Sequence, residues 1–301
     1  MANIDHAGAV EANPVVVEIL RGDMVESRHR AAIAVVDIAG HVVLSVGDIK
    51  RPVFARSAIK PLQALPLIET GAAEAFALDD GEIALACASH GGERRHVAAV
   101  RGLLARIGLS EDDLECGASL PANGAARHEI LRAGGGPSPA CDNCSGKHTG
   151  FLATARHVGH PTAGYRQITH PVQQRILGVL EQMTGLDLGD APRATDGCGI
   201  PVIGIPLGNL ALAMARLADP ADQPDHRQAA CARIRDAMAA EPFMVAGTGR
   251  FCTRVIEACG AAALVKTGAE GVFSAALADL GLGIALKVDD GAGRAAEFVM
   301  A

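Results

Sequence analysis

Arg56-Ser57-Ala58-Ile59-Lys60-Pro61 is the point at which the chain changes period. Upstream of it, residues 15–19, 32–38 and 42–46 are rich in β-branched side chains, and the last two flank Ala39-Gly40-His41 in the manner of a hairpin. Downstream, apolar residues recur at helical spacing over 93–107, 146–158, 171–183, 207–217 and 226–240. Strand patterns return at 261–265, 271–275 and 283–288, followed by the turn Asp289-Asp290-Gly291 and a closing helical stretch. Strands at both ends can pair around a helical insertion. The spacing therefore predicts an α/β (α+β) unit with an antiparallel sheet from the N- and C-terminal strands. It reads as one domain over 1–301, in which a sheet lobe (1–56 plus 261–301) and a mainly helical lobe (57–260) are interleaved.

The 301 residues are 49 % hydrophobic and 20 % charged, which is ordinary globular composition with enough apolar material for a sizeable core. A net charge of -7 with no basic run argues against nucleic acid, and the absence of tryptophan with a single tyrosine, Tyr165, leaves no base-stacking platform. A small molecule is the expected partner. No segment approaches the length of a membrane span, and Met1-Ala2-Asn3-Ile4-Asp5-His6 has neither a basic start nor an apolar stretch, so the chain reads as cytoplasmic. Eight cysteines are too sparse for a disulfide scaffold.

Four runs carry chemistry. In the first, Ser57 and Lys60 stand three apart, so on a helix the amine can take the hydroxyl proton as the serine attacks a carbonyl. Pro61 suits a first helical turn, and donors at that helix start suit an oxyanion pocket. Read alone, the run better describes an N-cap serine and a solvated lysine. Ser89 follows the apolar run 83–88, and Lys266-Thr267-Gly268 follows another at 261–265, its glycine permitting close backbone approach. The order Ser-x-x-Lys, serine, Lys-Thr-Gly is similar to that of penicillin-recognising serine hydrolases. The middle Ser-x-Asn of those enzymes is absent, since His90 and Gly91 follow Ser89, which disfavours a β-lactam substrate.

Cys141-Asp142-Asn143-Cys144-Ser145-Gly146-Lys147-His148 would bring Cys144, Lys147 and His148 together on a helix opening near Ser145. Cys198, between Gly197 and Gly199, is the best distant partner for Cys144. The spacing leaves two readings open, a thiolate site for zinc and a pair of small buried hydrophobes. No thioredoxin-like pattern surrounds the Cys-x-x-Cys pair, which disfavours a redox couple, and Cys141 and His148 stand where a phosphate loop needs glycine and a hydroxyl, so the P-loop reading falls away. His90, His96 and His128 read as helix-end or surface histidines, and His170-Pro171 as a helix start.

Taken in order, seven runs resemble the class 3 (rhizobial-type, asparaginase II) L-asparaginases over nearly the whole chain. They are Arg56-Ser57-Ala58-Ile59-Lys60-Pro61, Ser89-His90-Gly91, Asn143 to His148, His170-Pro171-Val172-Gln173, Asp196-Gly197-Cys198-Gly199-Ile200-Pro201, Lys266 to Gly271 and Lys287 to Gly291. The resemblance implies a fold like that of serine β-lactamases and penicillin-binding proteins, a homodimer, and hydrolysis of L-asparagine to L-aspartate and ammonia. It implies two Ser-Lys tandems, Ser57 with Lys60 and Ser89 with Lys266, Ser57 being the nucleophile. It also implies a zinc ion on Cys144, Lys147 and Cys198, with Arg56, Asp196 and Cys252 around the substrate and Asp196 on its ammonium group. Cys141 has no counterpart in the family pattern. Two rivals remain: another serine hydrolase of this fold, such as a peptidase, esterase or β-lactamase, and a zinc-dependent binding or redox protein.

Overall fold

The structure, a computed structural model, describes residues 12–301. The N-terminal hexapeptide read above lies outside them. Nine strands are formed among the described residues: β1 (Val15–Arg21), β2 (Met24–Asp37), β3 (Val42–Val46), β4 (Pro52–Phe54), β5 (Arg193–Thr195), β6 (Pro201–Pro206), β7 (Ala263–Thr267), β8 (Val272–Leu277) and β9 (Leu282–Val288). The larger sheet runs β1-β2-β9-β8-β7, with β3 also on β2, and every pairing is antiparallel. Its strands come from the two ends of the chain, joined where Ala31 to Asp37 pairs with Val288 to Leu282. The β2–β3 turn closes through the Gly40 N–H on Asp37 O and the Asp37 N–H on His41 O.

Small side chains decide how the sheet is covered. Ala31, Ala32, Ala34 and Val36 of β2 are buried, and the helix Leu207–Ala218 lies across β9 at Gly283. A Cβ added to Gly283 would stand 1.9 Å from Ala211 O, so helix and strand backbones meet directly. A core poor in aromatic rings reaches interior density by such close approach.

The long helices fall within two residues of the predicted segments: Arg94–Arg106, Ser145–His157, Pro171–Thr184, Leu207–Ala218 and Asp225–Ala240. Their ends are locally determined. His170 caps the third of them by accepting from the Val172 N–H, Pro171 fills its first position, and Gly185 closes it in the left-handed region. Two features differ from expectation. The central stretch carries a second sheet, β4-β6-β5, because the β-branched run in Pro201–Pro206 is too short to show a period yet finds partners on both sides. Ser57 stands in a 3-10 turn, Arg56–Ile59, and the α-helix begins only at Lys60.

Candidate active site

Four segments converge under the larger sheet. Lys60 opens the short helix Lys60–Gln63; Ser89 lies just past the helix Asp80–Ala86; Lys266 is on β7; Cys144 caps the helix Ser145–His157. Backbone bonds fix the approach. The Ser89 N–H donates to Val245 O at 3.0 Å and the His90 N–H to Asn143 O at 3.2 Å, so the serine is held beside the Cys144 loop. Gly146 lets the two helices meet, since a Cβ there would stand 2.3 Å from Leu85 O. Gly268 does the same for β7, its added Cβ falling 2.8 Å from Ala55 O, which is the close approach predicted for that glycine.

The centre is a chain of buried polar groups. Lys266 Nζ lies 2.8 Å from Ser89 Oγ, and Lys60 Nζ lies 3.1 Å from the same oxygen. Lys60 also donates to Ala88 O and, at 3.2 Å, to Cys144 Sγ. Both lysines are fully enclosed. Burial, then the charge on Lys60, pushes the Lys266 amine down to about 7. The Ser89 hydroxyl thus joins a readily neutral amine to a second lysine.

Lys60 does not reach Ser57, whose half-buried hydroxyl forms no hydrogen bond among the described residues. The three-residue spacing puts both side chains on one side of the turn, but a buried ammonium goes where acceptors saturate it, and those are Ala88, Ser89 and Cys144. Of the donors near Ser57, the Ala58 N–H is engaged by Ala55 O at 3.0 Å.

Beside Lys60 the two cysteines meet. Cys144 Sγ is 3.2 Å from Lys60 Nζ, and Cys198 Sγ is 3.1 Å from Lys147 Nζ. Interaction with Cys198, against the effect of burial, and the charges of Lys60 and Lys147 lower the Cys144 thiol well below its ordinary range; Cys198 is shifted upward by its interaction with Cys144 and by burial. Burial works against the Lys147 ammonium, but the two sulfurs outweigh it and raise its pKa. Two sulfurs and the Lys147 amine are thus electrostatic neighbours, a donor set of the soft type zinc takes. Among the described residues no three of His, Cys, Asp and Glu converge on a common point, so any metal here depends on the lysine.

Arg56 and Asp196 are joined as an ion pair, with guanidinium Nε and Nη2 at 3.0 and 2.7 Å from Asp196 Oδ1. Cys252 is buried in the helix Phe251–Cys259, where burial raises its thiol pKa against the charge of Lys266. His148 departs from the predicted cluster. Its Nδ1 lies 2.7 Å from the Tyr165 hydroxyl, which accepts the Glu115 N–H. His148 Nε2 is buried without a hydrogen-bond partner among the described residues. His90 is structural, held between the Gly92 N–H and Ser145 Oγ and stacked on His96. The centre has an acidic neighbour that the sequence reading passed over, Asp142, which accepts the Cys144 N–H and is raised to about 6 by burial and the Cys144 charge. Only its position in the Cys141–Cys144 run could have signalled it.

An antiparallel sheet carrying a helical insertion, with a serine between two buried lysines at their junction, defines the class of protein first. The L-asparaginase II family matches residues 17–301, and the chain belongs to that family. No curated protein matches the chain. Among solved structures, a β-lactamase from Mycobacterium bovis aligns over 89 % of this chain and 90 % of its own, at 16 % identity and a TM-score of 0.45. No helix among the described residues is long and apolar enough to cross a membrane.

Proposed function

We propose that the protein is a serine amidohydrolase that converts L-asparagine to L-aspartate and ammonia. The observation that carries this is the buried Lys60–Ser89–Lys266 chain, with the half-buried Ser57 three residues before Lys60, in a member of the L-asparaginase II family. Ser57 Oγ attacks the side-chain amide carbon and its proton passes to Lys60. Lys60 is freed to accept it when its own proton goes to Ser89 Oγ as the Ser89 proton moves to Lys266. The proton returns to the leaving nitrogen, ammonia departs, and an acyl ester remains on Ser57. Water then attacks that ester, aspartate leaves, and the serine is restored.

Asp196 Oδ2, left over from the pair with Arg56, faces the role of binding the substrate ammonium. Cys144, Cys198 and Lys147 would hold a zinc ion, which when bound offers a Lewis-acidic anchor for a polar group of the substrate. Because the amine must lose its proton to ligate, zinc affinity is expected to weaken as pH falls. A homodimer in the cytoplasm goes with this reading through the family resemblance.

The test is ammonia release by purified protein from L-asparagine, beside L-glutamine, D-asparagine and a β-lactam. Turnover confined to the first, or strongest on it, supports the assignment; a folded protein silent on L-asparagine and active on another substrate overturns it.

Two further results are expected. Lys266 must be neutral to accept a proton, and below about 7 it is protonated, so kcat/KM should fall about tenfold per pH unit below that value and level off above it. A pH–rate profile lacking this limb in the wild type would remove Lys266 from the proton path. Cys144→Ser and Cys198→Ser should each lose zinc by elemental analysis and raise KM more than they lower kcat. Retained metal in both would refute those ligands.

A further inference from the structure

We propose that the Arg56–Asp196 ion pair is a latch that holds a strained backbone in front of Ser57, which makes Arg56 a positioning residue for the nucleophile. The proposal rests on Ser57 being that nucleophile. Arg56 has φ +51°, in the left-handed region that a residue with a long side chain enters only against steric cost. Such a conformation persists where the surroundings over-determine it. Three contacts do so here.

The guanidinium fork closes on Asp196 Oδ1 through both Nε and Nη2, with the carboxylate side chain 10 % exposed and the arginine 26 %. Asp196 is itself immobilised in a tight turn: its N–H donates to Ile200 O at 2.9 Å, its carbonyl accepts the Gly199 N–H at 2.8 Å, and Oδ1 accepts the Gly197 N–H at 2.7 Å. On the other side, the Ala58 N–H on Ala55 O closes the chain around Arg56 and Ser57, and Gly268 packs so near that a Cβ on it would stand 2.8 Å from Ala55 O. A guanidinium already committed to Asp196 is poorly placed to take a substrate carboxylate as its first task. The latch also ties the Ser57 backbone to the turn that carries Cys198, so the cysteine site and the nucleophile share one rigid connection.

Glycine separates strain from charge, because it adopts φ > 0 without steric cost. Arg56→Ala removes the pair and keeps the strain; Arg56→Gly removes both. In the full chain with L-asparagine, Arg56→Ala is expected to lose about a hundredfold in kcat with a smaller change in KM, as a displaced nucleophile does. Arg56→Gly should melt a few degrees above Arg56→Ala and recover roughly tenfold or more of its kcat. Failure of Arg56→Ala alone to fold, with Arg56→Gly folded and active, has the same meaning. Asp196→Asn should cost less kcat in the Arg56→Gly background than in the wild type. Equal kcat in Arg56→Gly and Arg56→Ala, with KM raised alike in both, makes Arg56 a substrate ligand and overturns the latch. Ser57→Ala run beside them separates the two failures: if it is silent, an equal pair sinks the latch alone; if it turns over normally, the nucleophile reading and the latch fall together.

Discussion

Ser57→Ala is expected to lower turnover of L-asparagine by about a millionfold, the size of loss seen when a catalytic nucleophile is removed. Ser89→Ala should cost less, about a hundredfold to ten-thousandfold, because it breaks a proton relay and leaves the bond-forming atom in place. The two serines are distinguished by access. Ser57 is half-buried and free of hydrogen bonds among the described residues, so a substrate carbonyl can reach it; Ser89 is buried between Lys60 and Lys266. The absence of a Lys60–Ser57 bond does not weigh against this, since catalytic contacts commonly tighten only when substrate is bound. Steady-state kinetics with both variants, joined to intact-mass detection of the acyl-enzyme after rapid quenching, checks it. A modest effect at Ser57 with a silent Ser89→Ala would move the nucleophile to Ser89.

Gly283→Ala is expected to unfold most of the protein. The added Cβ would stand 1.9 Å from Ala211 O, 2.2 Å from Ala215 N and 2.8 Å from the Met214 carbonyl carbon, all backbone atoms of the helix Leu207–Ala218. No rotamer relieves a backbone clash, and Gly283 is in an interior strand, opposite Val36 on one side and Ala276 on the other. The helix would have to lift from the sheet, opening a core that includes Leu207, Leu210 and Met214. The expected loss exceeds about 4 kcal/mol, a large share of the roughly 5–15 kcal/mol that holds a domain together. Gly102→Ala is the control. That glycine is exposed inside the helix Arg94–Arg106 with nothing within 4 Å of an added Cβ, so alanine there should stabilise by about 0.5–1 kcal/mol. Urea denaturation followed by circular dichroism reads both, and an unchanged midpoint for Gly283→Ala would contradict the helix position.

The period change at Arg56–Pro61, the hairpin around Gly40 and the return of strands near Lys266 were all legible in the chain, because period, turn residues and caps act over a few neighbouring residues. His170-Pro171 and Gly185 bound their helix for the same reason. Within the site, Cys144 and Lys147 could be read together since one helix turn joins them, and the Lys-Thr-Gly run announced its close approach through Gly268. The β4-β6-β5 sheet was not legible, its strands being too short to show a period and stable only in company. Nor was the partner of Lys60. Spacing pointed to Ser57, but Ser89, 29 residues away, takes the amine, and Lys266 comes to the same oxygen from 177 residues away. By itself the sequence determined the element types, the kinds of reactive group and the family runs, since each is set by residues close in the chain. The tertiary structure alone decided which amine meets which serine, that the Lys266 pKa is pushed down to about 7, and that Arg56 is strained, because burial, charge proximity and backbone clash are properties of packed neighbours.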